Sequence, residues 1–134
     1  MGIFAGLMAG IFEELGWTGF AMPTLLRLRY GVLGTGLIVG VLWGAWHLPI
    51  NFWGSGVTAG ELPPAVFASV WLIGILVGSL VAFKVLMVWV YKCTGSLLVA
   101  ILMHVSLTAF QYILTPPLRG TPYWIIGFAT AAAL

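Results

Sequence analysis

The chain has 134 residues, of which 62% are hydrophobic and only 6% are charged, with a formal net charge of +2 and a mean hydropathy of +1.15. A soluble domain carries about a quarter charged residues, so this chain has too few to cover a water-facing surface, and we predict an integral membrane protein with one domain. The small net charge does not indicate a nucleic-acid partner, and the single cysteine, Cys93, excludes an internal disulfide framework and a Cys-rich zinc site.

Five apolar segments can be marked along the chain, at residues 1–26, 32–53, 65–91, 95–114 and 122–134. Each of the first four is long enough to cross a hydrocarbon core of about 30 Å, which takes about 20 helical residues. The fifth is too short to span, so either it stops partway or the chain is a piece of a longer protein. The predicted fold is all-α: a multi-pass transmembrane helical bundle with about four full spans plus a partial fifth, in a single domain covering the whole chain.

The basic residues give these segments an orientation. If the segments alternate in direction, one side of the membrane receives Arg27, Arg29, Lys84 and Lys92. Lys84 lies within an apolar segment, so it would have to snorkel to that side from inside its helix. Because basic residues favour the cytoplasmic side, the Arg27 loop and the Lys92 turn are predicted to be cytoplasmic.

Two adjacent acids, Glu13 and Glu14, lie inside the first apolar segment, although the whole chain has only three acidic residues. A carboxylate in a bilayer interior costs several kcal/mol and is normally kept for a partner or a task. The two histidines of the chain, His47 and His104, lie in later apolar segments. We therefore predict that these four side chains meet inside the bundle.

Helical spacing supports that convergence. Three segments carry small or polar residues every fourth position, a spacing that marks faces where membrane helices approach closely. The three series are Gly2, Gly6, Gly10, Glu14 and Thr18; Gly36, Gly40 and Gly44 followed by His47; and Ser96, Ala100, His104 and Thr108. At 1.5 Å per residue, Glu14 lies roughly 15–18 Å, His47 about 20 Å and His104 about 15 Å from the predicted cytoplasmic side.

Three short motifs resemble those of a known family. Glu13-Glu14-x-x-x-Thr18, Trp43-x-x-x-His47 and His104-x-x-x-Thr108 are similar to the EExxxR, FxxxH and HxxxN or HxxxD motifs of the CAAX prenyl protease and bacteriocin-processing family, also called CPBP or Abi. In that family each motif lies on its own membrane helix. The resemblance covers residues 10–110.

The resemblance implies a multi-pass intramembrane endopeptidase. Members of the family cleave prenylated CAAX termini, process bacteriocin-like peptides or confer self-immunity. By motif position, the candidate catalytic residues are Glu13, Glu14, His47 and His104. Glu13 would activate the attacking water, His47 would help to orient and deprotonate it, and His104 with Thr108 would bind a metal or the developing oxyanion.

This sequence departs from the family pattern in three places. Thr18 stands in place of the arginine, so Glu14 lacks an ion partner one turn away. Thr108 replaces asparagine or aspartate and offers one hydroxyl, and Trp43 replaces phenylalanine and keeps an aromatic wall. Family members are usually longer, so we expect residues 1–134 to be the core or C-terminal part of a longer architecture.

The chemistry can also be considered without the family. Peptide hydrolysis needs an activated water, a group that takes and returns its proton, and donors for the oxyanion. Two histidines with one carboxylate also match a three-ligand catalytic zinc site with an open position, which would be Glu13, His47 and His104 around a divalent metal such as Zn, with Glu14 left as base. The residues suffice for either mechanism, so both stay open.

The polar residues are therefore compatible with three different functions. The first is a hydrolase in a bacterial or archaeal cell membrane, whose partners are the lipid bilayer and a peptide or lipidated peptide. The second is a non-catalytic immunity or interaction protein with the same fold, which Thr18 and Thr108 favour. The third is a proton or ion path, ranked last because few polar residues continue across the membrane beyond Ser96, Thr108 and Gln111.

Overall fold

The structure is a computed structural model that describes residues 2–114. All regular elements in this part of the chain are helical, which confirms the predicted fold class. The α-helices are α1 Gly2–Gly16, α2 Met22–Arg27, α3 Gly31–Gly54, α4 Pro64–Val70, α5 Ala82–Thr94 and α6 Leu97–Leu114. Two π-helical segments, Trp17–Ala21 and Trp71–Val81, join α1 to α2 and α4 to α5, and a 3-10 turn covers Val57–Ala59.

The helices begin and end close to the predicted boundaries of the first four apolar segments. Between α2 and α3 the chain turns with Arg29 at φ 65° and Gly31 at φ 70°, and a left-handed backbone cannot continue a right-handed helix. Pro64 starts α4, where its fixed φ suits the first helical turn. The predicted segment 122–134 lies outside the described residues.

Two helical runs in the described residues are long and apolar enough to cross a membrane. They cover Gly31–Ala59, with a mean hydropathy of 1.5, and Pro64–Thr94, with a mean hydropathy of 2.4; a shorter apolar helix covers Leu97–Gln111. Large apolar side chains such as Phe20, Trp46 and Ile73 are exposed, which suits contact with lipid. The protein is an integral membrane protein, and the number of its spans stays a prediction.

The chain divides into two compact units, of which the first contains described residues 2–39 and 84–114. In this unit α1 packs against α6 along the predicted glycine face. A Cβ atom added to Gly6 would lie 2.9 Å from the Val105 carbonyl oxygen, and one added to Gly10 would lie 2.7 Å from Val105 Cγ2. Similarly, a Cβ on Gly36 of α3 would lie 2.6 Å from Val85 Cα of α5. Only glycine permits these approaches, because any side chain would push the helices apart.

The second unit contains described residues 40–83. Its apolar core is formed by Leu62, Phe67 and Trp71, which are all buried. Glycine again permits close packing, since a Cβ on Gly40 would lie 2.8 Å from Val81 Cα. The second half of α3 is therefore held against the second π-helical segment.

Gly6→Ala tests the close approach of α1 and α6. The added Cβ would lie 2.9 Å from the Val105 carbonyl oxygen and 3.3 Å from the Ala109 amide nitrogen, and such backbone atoms move only if a helix moves. We expect the free energy of unfolding to fall by about 1–3 kcal/mol, measured by SDS-induced unfolding in mixed micelles.

Gly16→Ala is the matched control in the same helix. No atom of the described residues outside its immediate surroundings lies within 4 Å of its added Cβ. Alanine should therefore stabilise the protein there by about 0.5–1 kcal/mol through its better helix propensity. Equal effects of the two substitutions would contradict the described packing.

Candidate functional site

Glu14 lies at the buried face of α1, as the spacing of the small residues predicts. Gly6, Gly10, Glu14 and Thr18 are buried at four-residue intervals, while the residues between them are exposed or half-buried. Thr18 belongs to the first π-helical segment, one turn beyond Glu14. π-helical segments occur frequently at functional sites. The face of α1 that packs on α6 thus ends, towards its C-terminus, in the carboxylate of Glu14 and the hydroxyl of Thr18.

The Glu14 carboxylate accepts hydrogen bonds from three elements. Thr18 Oγ1 donates to Oε2 at 2.5 Å, while Lys84 Nζ of α5 and His104 Nδ1 of α6 both donate to Oε1, at 2.5 and 2.7 Å. Glu14, Thr18 and Lys84 are 0% exposed and His104 is 2% exposed. We call these four residues the buried ion cluster, and all of them lie in the first unit.

The hydrogen-bond pattern fixes the roles of these groups. An ionised carboxylate only accepts, so the proton between His104 and Glu14 belongs to His104 Nδ1. The ring of His104 is thereby oriented, with Nε2 directed away from Glu14. Both Glu14 oxygens already accept strong hydrogen bonds, so Glu14 is better placed to orient His104 than to take a proton from water.

The structure corrects the prediction for Lys84. The distribution of basic residues predicts that this side chain snorkels to the cytoplasmic side, whereas it is buried and paired with Glu14. A buried carboxylate within reach compensates the ammonium charge better than partial extension through an apolar helix. Glu14, which lacks an arginine partner at position 18, thus receives its cation from α5.

The sequence contains a feature from which the pairing of Lys84 with an acid could have been predicted. It is the single charged residue in the apolar segment 65–91. A lone lysine inside such a segment needs a counter-charge, and Glu13 and Glu14 are the acids that lie inside another apolar segment.

Glu13 and Thr108 lie in the same unit as the buried ion cluster. Glu13 is half-buried and precedes Glu14, so its side chain leaves α1 about 100° away from that of Glu14. Thr108 is half-buried and follows His104 by one turn of α6. The structure therefore places the two adjacent acids in different surroundings.

His47 and Trp43 lie on α3 in the second unit. His47 Nδ1 lies 2.8 Å from the Trp43 carbonyl oxygen, and its ring meets the Trp43 indole edge-on with centroids 4.9 Å apart. A carbonyl can only accept, so Nδ1 carries the proton and a neutral His47 presents a lone pair at Nε2. This tautomer suits a base or a ligand. The convergence of His47 with Glu13 and His104 stays a prediction.

A metal ion does not fit the buried ion cluster. Oxygen Oε1 of Glu14 is bonded to the Lys84 ammonium, whose charge opposes a second cation at the same atom. Within residues 2–114, no three His, Cys, Asp or Glu side chains are grouped so as to hold a metal ion. The candidate ligand set of Glu13, His47 and His104 takes residues from both units and stays a prediction.

The sequence of this chain is similar to those of known proteins. The sequence model of a family described as type II CAAX prenyl endopeptidase, Rce1-like, matches residues 1–110. The CAAX prenyl protease 2 of the archaeon Methanococcus maripaludis is 40% identical over 50 residues, which are 37% of this chain and 18% of that protein. The match thus spans less than a fifth of the relative. No solved structure matches the chain.

Glu14→Gln tests whether the buried ion cluster stabilises the first unit. The amide takes away the carboxylate with which the buried Lys84 ammonium is paired, and breaking a buried pair in this way costs about 3–5 kcal/mol. We expect a loss of that size in the free energy of unfolding, measured by SDS titration in mixed micelles.

Glu61→Gln is the control for this substitution, because Glu61 is exposed in the connection between α3 and α4. Its effect should stay within about 0.5 kcal/mol. If Glu14→Gln were no more destabilising than Glu61→Gln, the ion cluster would not contribute to stability.

Proposed function

Because the chain belongs to the Rce1-like family of type II CAAX prenyl endopeptidases, we propose that it hydrolyses peptide bonds within or at the membrane. The substrate that we propose is a prenylated CAAX-like peptide, with a bacteriocin-like peptide as the second choice. The name of the archaeal relative, CAAX prenyl protease 2, supports the first. The observation that carries the proposal is the buried contact between Glu14 and His104, which fixes a histidine in an apolar helix.

Glu13 is the proposed base for the attacking water. Both oxygens of Glu14 are engaged by Thr18, Lys84 and His104, whereas Glu13 leaves the helix in another direction. A carboxylate base takes a proton from water as the water oxygen attacks the peptide carbonyl carbon. The same carboxyl group then returns the proton to the departing amine.

His47 is the proposed partner of Glu13. Its Nδ1 proton is held by the Trp43 carbonyl, so Nε2 is the nitrogen that can accept a hydrogen bond from water. An acceptor on the water aligns its lone pair for attack. His47 therefore orients the nucleophile, while Glu13 removes the proton.

His104 and Thr108 are the proposed donors to the oxyanion. Oxyanion stabilisation needs donors that are already fixed before the reaction, and His104 is fixed by its Nδ1 contact with Glu14. With Nδ1 engaged by Glu14, Nε2 is the ring nitrogen that faces the substrate, and it donates to the oxyanion in the form of the ring that carries a proton there. The Thr108 hydroxyl lies one turn further along α6 and adds a second donor.

The membrane setting completes the proposal. The side of the membrane that carries the Arg27 loop and the Lys92 turn is the cytoplasmic side by the distribution of basic residues. The membrane is that of a bacterial or archaeal cell. A lipidated peptide reaches such a site from the bilayer, where its hydrocarbon chain is already dissolved.

Glu13→Gln tests the proposed activity. The amide cannot accept a proton from water, so the rate of cleavage of a farnesylated CAAX reporter peptide in proteoliposomes should fall at least about 100-fold. Glu61→Gln, an exposed acid outside the site, should cleave at the wild-type rate. A parallel measurement with a chelator decides whether a divalent metal, such as Zn held by Glu13, His47 and His104, takes part.

Two outcomes would contradict the proposal. Equal cleavage by the wild type and Glu13→Gln would remove Glu13 from the reaction. Binding of the reporter by both proteins without cleavage by either would instead identify a non-catalytic immunity or interaction protein.

A further inference from the structure

Lys84 is a buried charge for which the proposed reaction has no step. Its ammonium nitrogen lies 2.5 Å from Glu14 Oε1, and both side chains are 0% exposed. A lysine in an apolar helix is costly to bury and is kept where its charge has a use. Stability alone is a weak reason, since well-packed apolar residues often replace a buried ion pair without loss.

The geometry connects Lys84 to His104 through one atom. Lys84 Nζ and His104 Nδ1 donate to the same oxygen, Oε1, while Thr18 donates to Oε2. Both hydrogen bonds to Oε1 are charge-assisted and strong when the carboxylate is ionised, and a neutral acid would accept them more weakly. The ammonium supplies the compensating charge for that ionised state, so the contact that orients His104 depends on a cation located on a different helix.

We infer that Lys84 is a positioning residue, which acts through Glu14 to hold the His104 ring in its working orientation. This inference deepens the proposed function and rests on it for the role of His104. The requirement is for a positive charge at the Glu14 carboxylate and not for lysine at position 84 as such. A cation that reaches Glu14 from another position should therefore replace Lys84.

Position 18 offers such a place. The Thr18 side chain already contacts Glu14 Oε2 from the next turn of the same helical run. Thr18 is 0% exposed, so a larger side chain needs additional room. Thr18→Arg adds as many non-hydrogen side-chain atoms as Lys84→Ala removes, which makes the double variant close to neutral in volume.

The experiment compares Lys84→Met, Lys84→Arg and the double variant Thr18→Arg/Lys84→Ala with the wild type in proteoliposomes. Lys84→Met removes the charge but keeps a long side chain, and we expect kcat for a farnesylated CAAX peptide to fall about 100-fold. KM should change by less than about threefold, because the loss concerns the transition state. Lys84→Arg and the double variant should each recover at least about tenfold in kcat. Lys92→Met is the matched control, since Lys92 is exposed at the end of the same helix.

A second measurement reports directly on the hydrogen bonding of the His104 ring. The chain has two histidines, so ¹⁵N spectra of the imidazoles can be assigned with His47→Gln. The His104 Nδ1 signal should be displaced in Lys84→Met and should keep its wild-type position in Lys84→Arg and in the double variant. A purely structural lysine would lower the stability of Lys84→Met without displacing the His104 Nδ1 signal of the protein that remains folded.

Three outcomes would overturn the inference: an unchanged kcat and His104 signal in Lys84→Met, a loss that neither folded cation-bearing variant recovers, or an equal loss in Lys92→Met. If Lys84→Met fails to fold, Lys84→Arg still decides, because a folded Lys84→Arg protein with a displaced His104 signal and an about 100-fold lower kcat would overturn the requirement for charge alone. If the wild type cleaves no peptide, the proposed function fails, and the ¹⁵N comparison still shows whether Lys84 fixes His104.

Discussion

The structure of the first unit depends on one buried carboxylate. Glu14 lies in an apolar helix without access to water, so its charge must be compensated within the protein. Lys84 supplies the charge at Oε1, His104 donates a hydrogen bond to the same oxygen, and Thr18 donates to Oε2. Three separate stretches of the chain therefore have to meet at this carboxylate. These directional contacts constrain how the helices pack, whereas contacts between apolar side chains are non-directional.

Glycine makes that meeting possible. Gly6 and Gly10 let α1 approach the backbone of α6, and Gly36 lets α3 approach α5. Lipid-like side chains provide little driving force for association inside a bilayer, so close backbone packing and polar contacts must hold the helices together. The glycine faces and the ion cluster are thus two parts of one arrangement, in which the first brings helices close enough for the second to form.

Hydropathy predicted the helices well because the apolar segments are long and bounded by glycine, proline and basic residues. Four-residue spacing placed Glu14 and His104 on faces that contact protein, and the structure joins these two side chains directly. The predicted position of Lys84 was wrong because the prediction considered only the helix that carries this lysine. The carboxylate that pairs with it, Glu14, lies on another helix. The spacing of residues also could not distinguish the roles of the adjacent acids Glu13 and Glu14. Only the structure shows that both carboxylate oxygens of Glu14 accept hydrogen bonds. The roles of Glu13, His47 and Thr108 stay predictions.

The separation of the cluster residues along the chain has a consequence for biosynthesis. Glu14 precedes Lys84 by 70 residues and His104 by 90. At a translation rate of roughly 5–20 residues per second, Glu14 emerges from the ribosome several seconds before its cation. During that interval Glu14 lacks the partners that it has in the folded unit, so the first helix cannot reach its final state. Although the protein is helical, the completion of its first unit is therefore governed by contacts between distant parts of the chain, as in slowly folding β-sheet proteins.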